Sequence, residues 1–333
     1  MKQTWIVLAI AGLAISFHNS AWADCKPLSL ITTVDLEPSE NKLAEFVPVT
    51  INGVPKYMLL DTGGAFAEIT GDAADELNLQ RRKGNFELYN VSGKYSSEFT
   101  SAALTIGAIK ADNAIFVIAP GSNLFGKGSD AVGILGPDIL EHYDVHLDFG
   151  ANKLSILSQD HCEGKVIYWP ASVIAVVPLR VLDSGHILFP VKLDGISMTA
   201  LLDTGASNTA LTIPAANREF NFKLGSADAP IADALPDRPG SYTYKHTFKT
   251  LDFDGVAVGN LPVRIIPDVL KKVTENKPEL GSHLADRKKD EDKVDMLVGM
   301  DVLRHFHVYI AYKEQKLYIT PVETAAPAAP AGH

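Results

Sequence analysis

The chain has 333 residues, 46% of them hydrophobic and 21% charged, which suits a globular protein of two ordinary domains rather than one small core. A formal charge of −10, with no cluster of Lys and Arg, excludes nucleic acid and anionic membrane surfaces as expected partners, because phosphate-rich partners select for concentrated positive charge.

The first element is a leader. Lys2 supplies a positive start, "WIVLAIAGLAISF" an apolar stretch, and Ala21-Trp22-Ala23 a small-x-small cleavage site. The apolar run is short for a bilayer span, so residues 1–23 read as a signal peptide and not as an anchor. Asp24 stands where a lipoprotein signal needs a small residue, which argues against a lipid on Cys25. The expectation is an exported chain, in a bacterial periplasm or outside the cell, with no membrane anchor after cleavage.

Next come short apolar and β-branched runs separated by Gly, Asn and Asp, the pattern of a mainly β protein. "VPVTINGVPKYMLLD" predicts a hairpin turning at Asn52-Gly53 and running into Leu59-Leu60-Asp61-Thr62-Gly63. "YNVSGKYSSEF" (Tyr89–Phe99) predicts a second hairpin at Ser92-Gly93, followed by strands at "ALTIG" and "AIFVIA". Ile134-Leu135-Gly136 then leads into one short helix at "PDILEHY", and "KLSIL" closes residues 24–160.

Residues 161–320 repeat that order. A hairpin at Asp194-Gly195 runs into Leu201-Leu202-Asp203-Thr204-Gly205, and "LPDRPGSYTY" (Leu235–Tyr244) turns near Pro239-Gly240. Leu297-Val298-Gly299 leads into "MDVLRHF". Pro48–Thr70 lies over Pro190–Thr212 without a gap, and Ile134–Ile156 over Leu297–Ile319. Two copies are too few for a solenoid and suit a pseudo-symmetric, two-lobed chain. The second half is longer at 267–295, a charge-rich stretch that reads as a solvated loop or surface helix, or as the rim of a cleft. Residues 321–333 are rich in Ala and Pro and are expected to be disordered.

Cys25 and Cys162 are the only cysteines, and each opens one half of the chain. In an oxidising compartment the pair favours a disulfide tying the two openings together, with two free thiols as the alternative.

A carboxylate directly after an apolar strand is costly unless it is paired or hydrogen-bonded. One Asp-Thr-Gly is explained as well by a turn that closes a strand. Two of them in a duplicated frame are better explained by a two-fold axis that brings the loops face to face.

These marks resemble those of the aspartic proteases, and within them the retropepsin-like group: an apolar-apolar-Asp-Thr-Gly loop in each lobe and a later apolar-apolar-Gly before a short helix. The resemblance covers nearly all of residues 45–320. It implies two pseudo-symmetric β-barrel lobes of retropepsin or pepsin type, 24–160 and 161–320, in one monomeric chain with one active site. It implies an endopeptidase in which Asp61 and Asp203 share a proton and activate water. Thr62 and Thr204 would brace the loops, and Gly63 and Gly205 would let the backbone close in. The partner implied is a peptide or protein substrate, with neither cofactor nor metal required. Gly93 and Tyr95, and Gly240 and Tyr242, become candidates for flaps over the cleft. The chain departs from the pepsin pattern at Gly64 and Ala206, where a Ser or Thr hydroxyl usually stabilises an ionised aspartate. The expected pH optimum is therefore less acidic than that of pepsin.

Three other readings are weaker. The same fold could bind extended peptides without cutting, or join lobes from two chains. A metal enzyme would draw on His305 and His307, with His142 and Asp144 at the matching positions, but no third ligand is evident beside either pair.

Overall fold

Asn52 (φ 50°) and Gly53 (φ 82°), and Asp194 (φ 48°) and Gly195 (φ 81°), take consecutive left-handed conformations. A two-residue hairpin needs that geometry to match the twist of its strands, and Asn-Gly and Asp-Gly reach it at least cost. Both hairpins form where the sequence predicts them, joining Glu45–Ile51 to Val54–Leu60 and Ile187–Leu193 to Ile196–Leu202.

The computed structural model describes residues 25–89, 95–119, 131–235, 240–268 and 293–322. Residues 1–24 with the expected leader, the Ala/Pro-rich stretch beyond residue 322, the expected turn at Gly93 and most of the charge-rich stretch 267–295 lie outside these residues. The first half contains β1 (Leu30–Asp35), β2 (Glu37–Pro38), β3 (Glu45–Ile51), β4 (Val54–Leu60), β5 (Glu68–Thr70), β6 (Arg82–Tyr89), β7 (Tyr95–Ile106), β8 (Ile109–Ala119), β9 (Ala131–Leu135), β10 (Asp144–Asp148) and β11 (Lys153–Leu157). The second contains β12 (Ala175–Pro178), β13 (Arg180–Val181), β14 (Ile187–Leu193), β15 (Ile196–Leu202), β16 (Ala210–Thr212), β17 (Ile231–Ala234), β18 (Tyr242–Asp252), β19 (Ala257–Ile266), β20 (Met296–Val298), β21 (Phe306–Ala311) and β22 (Lys316–Pro321).

The fold is mainly β, with two pseudo-symmetric lobes. Lobe one is a sheet in the order β2-β3-β4-β9-β5-β8-β7-β6, and lobe two repeats it strand for strand as β13-β14-β15-β20-β16-β19-β18-β17. A further pairing turns each sheet back on itself, with Ile51 opposite Leu104 and Leu193 opposite Leu251. Alternation fills the barrels: along β3, Val47, Val49 and Ile51 are buried while Pro48 and Thr50 are not. The remaining strands form a sheet shared by both halves, β1-β11-β10-β21-β22-β12. At its centre β10 and β21 run antiparallel, with Val145 opposite Ile310 and Asp148 opposite His307. The order is symmetric about that pair, as the two-fold requires. One hydrophobic core runs without a break through both lobes and the shared sheet.

A short helix follows each apolar-Gly motif, Pro137–Leu140 and Met300–Leu303. The sequence reading of one helix per lobe falls short, because each lobe has a second helical segment. Gly71–Glu76 follows β5, and Ile213–Ala215 follows β16 and continues into a π-helical turn, Ala216–Phe220. Thr70 and Thr212 start them, each hydroxyl accepting a backbone N–H three residues on, at 3.2 and 3.3 Å. Cys25 and Cys162 form a disulfide, which pins the N-terminal segment to the connection between the lobes. Among the described residues no helix is long and apolar enough to cross a membrane.

Candidate active site

Each aspartate stands at the end of a strand held in parallel to the apolar-apolar-Gly strand. Leu59 and Leu60 pair with Ile134 and Leu135, and Leu201 and Leu202 with Leu297 and Val298. The Asp61 N–H donates to the Leu135 carbonyl and the Asp203 N–H to the Val298 carbonyl, each at 3.1 Å. Gly136 and Gly299 end those strands because nothing larger fits. A Cβ on Gly136 would lie 2.4 Å from the Phe66 carbonyl carbon, and one on Gly299 2.7 Å from the Ala206 oxygen. The Asp-Thr-Gly loops therefore rest directly on the backbone that precedes the helices.

Thr62 and Thr204 are fully buried and cross between the lobes. The Thr62 hydroxyl donates to the Leu202 carbonyl and the Thr204 hydroxyl to the Leu60 carbonyl, both at 2.9 Å. Each oxygen also accepts the backbone N–H of the opposite threonine, Thr62 N–H to Thr204 at 3.0 Å and Thr204 N–H to Thr62 at 3.1 Å. Four buried hydrogen bonds thus fix the two loops to one another, and every polar group in the crossing is satisfied.

The carboxylates meet over that brace. A Cβ on Gly63 would fall 2.2 Å from Asp203 Cγ, and one on Gly205 2.4 Å from Asp61 Cγ. Only glycine lets each loop pass so close to the opposite carboxylate. Asp61 Oδ1 accepts the Gly63 N–H at 2.9 Å. Asp203 Oδ1 accepts the N–H groups of Gly205 and Ala206, at 3.0 and 2.9 Å. Burial is the main force raising both carboxyls above the ordinary range, and the charge of Asp61 adds to it at Asp203, while the N–H donors oppose it. Two carboxyls this close resist ionising together, so their titration belongs to the pair rather than to either residue. The arrangement supplies a base and an acid side by side, both still partly open to solvent.

Several residues of the site escape the sequence reading. Asp138 Oδ1 accepts the Ala67 N–H at 2.8 Å, and Asp301 Oδ1 accepts the N–H and hydroxyl of Thr209 at 2.8 and 2.7 Å. Each carboxylate ties its helix to the loop behind the aspartate. The signal was present as Gly-x-Asp in both copies. His186 is buried, with Nδ1 2.7 Å from the Ser184 hydroxyl and its ring beside the Gly63 backbone; burial lowers its pKa to about 4 and leaves it neutral. Glu68, on β5, lies close enough to Asp61 and Asp138 for their charges to act on it.

The other candidates are placed unevenly. Gly93 is outside the described residues, and Tyr95 is seen only as a backbone pair with Tyr89. Gly240 takes a left-handed turn conformation (φ 81°), and Tyr242 begins β18 as an exposed side chain paired with Ala234. His305 precedes β21 and is exposed, so it does not share a strand face with His307. His307 instead meets His146, with Nδ1 3.3 Å from Nε2. Among the described residues no group of three or more His, Cys, Asp or Glu is arranged to hold a metal ion.

A family model for aspartyl proteases matches residues 47–139 and 189–302, one stretch in each lobe. No curated protein matches the chain. Solved structures similar to it include basic 7S globulin from soybean and an aspartic proteinase from Irpex lacteus, each 10% identical, covering 88% of this chain and 97% of theirs at a TM-score of 0.49. Conglutin gamma from lupine seeds is 11% identical, with 89% and 96% covered and a TM-score of 0.48.

Proposed function

The chain belongs to the aspartyl protease family, and from that premise we propose that it is an exported endopeptidase hydrolysing peptide bonds with a water held between Asp61 and Asp203. The observation that carries the reading is the mutual approach of the loops, each glycine lying against the opposite carboxylate across the paired threonines.

The ionised member of the pair takes a proton from the water as it attacks the scissile carbonyl. The protonated member hydrogen-bonds the carbonyl oxygen and stabilises the charge that develops there. The proton then passes to the leaving amine as the tetrahedral intermediate collapses. Gly63, Gly205 and Ala206 keep the carboxylates oriented through their N–H groups. Both aspartates come from one chain, which supports a monomer with a single site. The Cys25–Cys162 disulfide and the leader-like residues 1–23 support a periplasmic or secreted location.

The second reading is peptide binding without cleavage. Gly64 favours it, because it brings no hydroxyl to Asp61 where a Cβ would stand 3.3 Å from Oδ2. Cleavage of a mixed peptide library by the wild type, Asp61→Asn and Asp203→Asn separates the two. Cutting by the wild type that either substitution abolishes supports the proposal. Binding without any cutting supports the alternative.

A further inference from the structure

Glu68 breaks the symmetry of the site. It pairs with Ile134 on β9 and Val117 on β8, and Ile134 pairs in turn with Leu59 on β4. Cross-strand partners share a face, so these four side chains form one row. Leu60, Leu135 and Ile69, next to them in sequence, point the other way into the core. Asp61 lies two residues beyond Leu59 and therefore faces the same side as the row. The row leads toward Asp61 on the lobe-one side, and Leu59, Ile134 and Glu68 are only half-buried along it. In lobe two the matching row is Leu201, Leu297, Ala210 and Arg264; the first three are apolar and buried, and Arg264 at the end is exposed and ion-paired with Asp233. Lobe one carries a carboxylate at Glu68 where lobe two carries the methyl group of Ala210.

Among the described residues Glu68 makes neither a side-chain hydrogen bond nor an ion pair. The charges that act on it are both negative, those of Asp61 and Asp138. The Glu68 oxygens are not sealed from solvent either, in contrast to Glu45 Oε2. A largely enclosed carboxylate is costly without a cation or donors, and the chain retains this one beside its reacting pair. Burial raises its pKa to about 7, with the charges of Asp61 and Asp138 adding to the effect. An incoming cation offsets these penalties by its own attraction to the carboxylate.

We propose that Glu68 selects a Lys or Arg side chain of the peptide substrate, held along the lobe-one row near the scissile bond. The inference rests on the protease reading of the same cleft and names its substrate class. A guanidinium fits best, since it can bond both carboxylate oxygens while its stem lies along Leu59 and Ile134. An acidic side chain at that position meets Glu68 and the dyad charge together and is rejected. The chain's net charge of −10 adds long-range attraction for cationic peptides.

The test is a set of fluorogenic peptides differing only by Arg, Gln or Glu, with the variable residue stepped through each position on both sides of the cleaved bond. At one position the wild type is expected to prefer Arg over Gln by about tenfold or more in kcat/KM. In Glu68→Gln that ratio falls to near one, and Glu68→Asp restores part of it. Melting temperatures of both variants show that the fold is intact. A ratio below about twofold at every position, or one that survives Glu68→Gln, overturns the proposal while leaving the protease reading in place. If the wild type cuts no peptide, the protease reading falls, and fluorescence anisotropy of the same peptides decides the matter. Tighter binding of Arg than Gln that is lost in Glu68→Gln then supports the Glu68 site, and equal or absent binding overturns it.

Discussion

Thr62 and Thr204 each donate a hydroxyl proton, at 2.9 Å, to the carbonyl of the residue that precedes the other lobe's aspartate. The distance between the two carboxylates is thus set by side chains that never touch a substrate. Replacing Thr62 or Thr204 with Val removes a donor and an acceptor from a fully buried crossing. The expected loss is about 2–4 kcal/mol of stability in urea unfolding, because stranded N–H and C=O groups cost more than the bonds themselves were worth. Activity should fall further than stability, since both carboxylates are displaced. Thr→Ser at either position retains the hydroxyl and should recover most of both quantities.

Gly63 and Gly64 are neighbours with opposite expectations. A Cβ at Gly63 would overlap Asp203, so Gly63→Ala should reduce kcat/KM by roughly a hundredfold or more by prising the carboxylates apart. A Cβ at Gly64 would meet Asp61 Oδ2 at 3.3 Å, tight but short of overlap, and a serine hydroxyl there could donate to the ionised form. Gly64→Ser should therefore move the pH profile of kcat/KM toward acid, as hydrogen bonding to a carboxylate lowers its pKa. A profile that stays in place would show that the hydroxyl does not reach the dyad.

The dyad itself sets the sign of two further effects. Burial raises both carboxyls, so the singly protonated pair persists further toward neutrality than ordinary aspartates would allow. Maximal activity is expected well above about pH 3, with the alkaline limb marking loss of the shared proton. A raised folded-state pKa also means that stability is greatest below the unfolded value and lost as pH rises through the folded one. Asp61→Asn and Asp203→Asn should abolish cleavage yet leave the melting temperature at pH 7 equal to wild type or higher. A marked drop in melting temperature would mean that the pair is held by contacts an amide cannot replace.

The bridge between Cys25 and Cys162 closes a loop over a sequence separation of 137 residues. Constraining so long a loop in the unfolded chain is worth about 5 kcal/mol by chain entropy, and about 2–4 kcal/mol as such bonds are commonly measured. The paired substitution Cys25→Ser/Cys162→Ser should lower unfolding stability by that order. Frayed hydrogen-exchange protection in β1, an edge strand beside the bridge, is expected to be its first sign.

Much of this architecture is legible in the sequence because the duplication supplies its own control. Asn52-Gly53 and Asp194-Gly195 each predict a hairpin, and the gapless repeat of Asp61-Thr62-Gly63 as Asp203-Thr204-Gly205 points to the symmetric site. What stays hidden depends on long-range packing. The helical segments after Thr70 and Thr212 are too short for a periodic signal, although each has its cap. Asp138 and Asp301 look like ordinary acidic residues in a helix's first turn until the fold sets Ala67 and Thr209 beside them. Glu68 and His186 have no counterpart in the other copy, so a reading guided by the repeat passes over them. The shared sheet is hidden for a similar reason, since nothing local says that β10 pairs with β21.

That shared sheet carries the last prediction. His146 on β10 stacks on Trp169 at 4.0 Å between ring centroids, with Nδ1 2.6 Å from the Tyr168 hydroxyl and Nε2 3.3 Å from His307. Burial lowers its pKa to about 4, the charge of a protonated His307 adds to that, and Asp148 partly opposes it. A depressed folded-state value means that the neutral ring stabilises the protein above pH 6.5 and that this stability is lost as pH falls toward 4. The loss is on the order of 3 kcal/mol for one such group. His161 works in the opposite sense: burial disfavours its charge, but Asp144 at 2.7 Å outweighs burial and raises its pKa, so it stabilises the acid side. Unfolding of the wild type should weaken between pH 6.5 and 4, and His146→Phe should flatten that slope while keeping the stack on Trp169. The same slope in the variant would assign the acid sensitivity to other groups of the sheet.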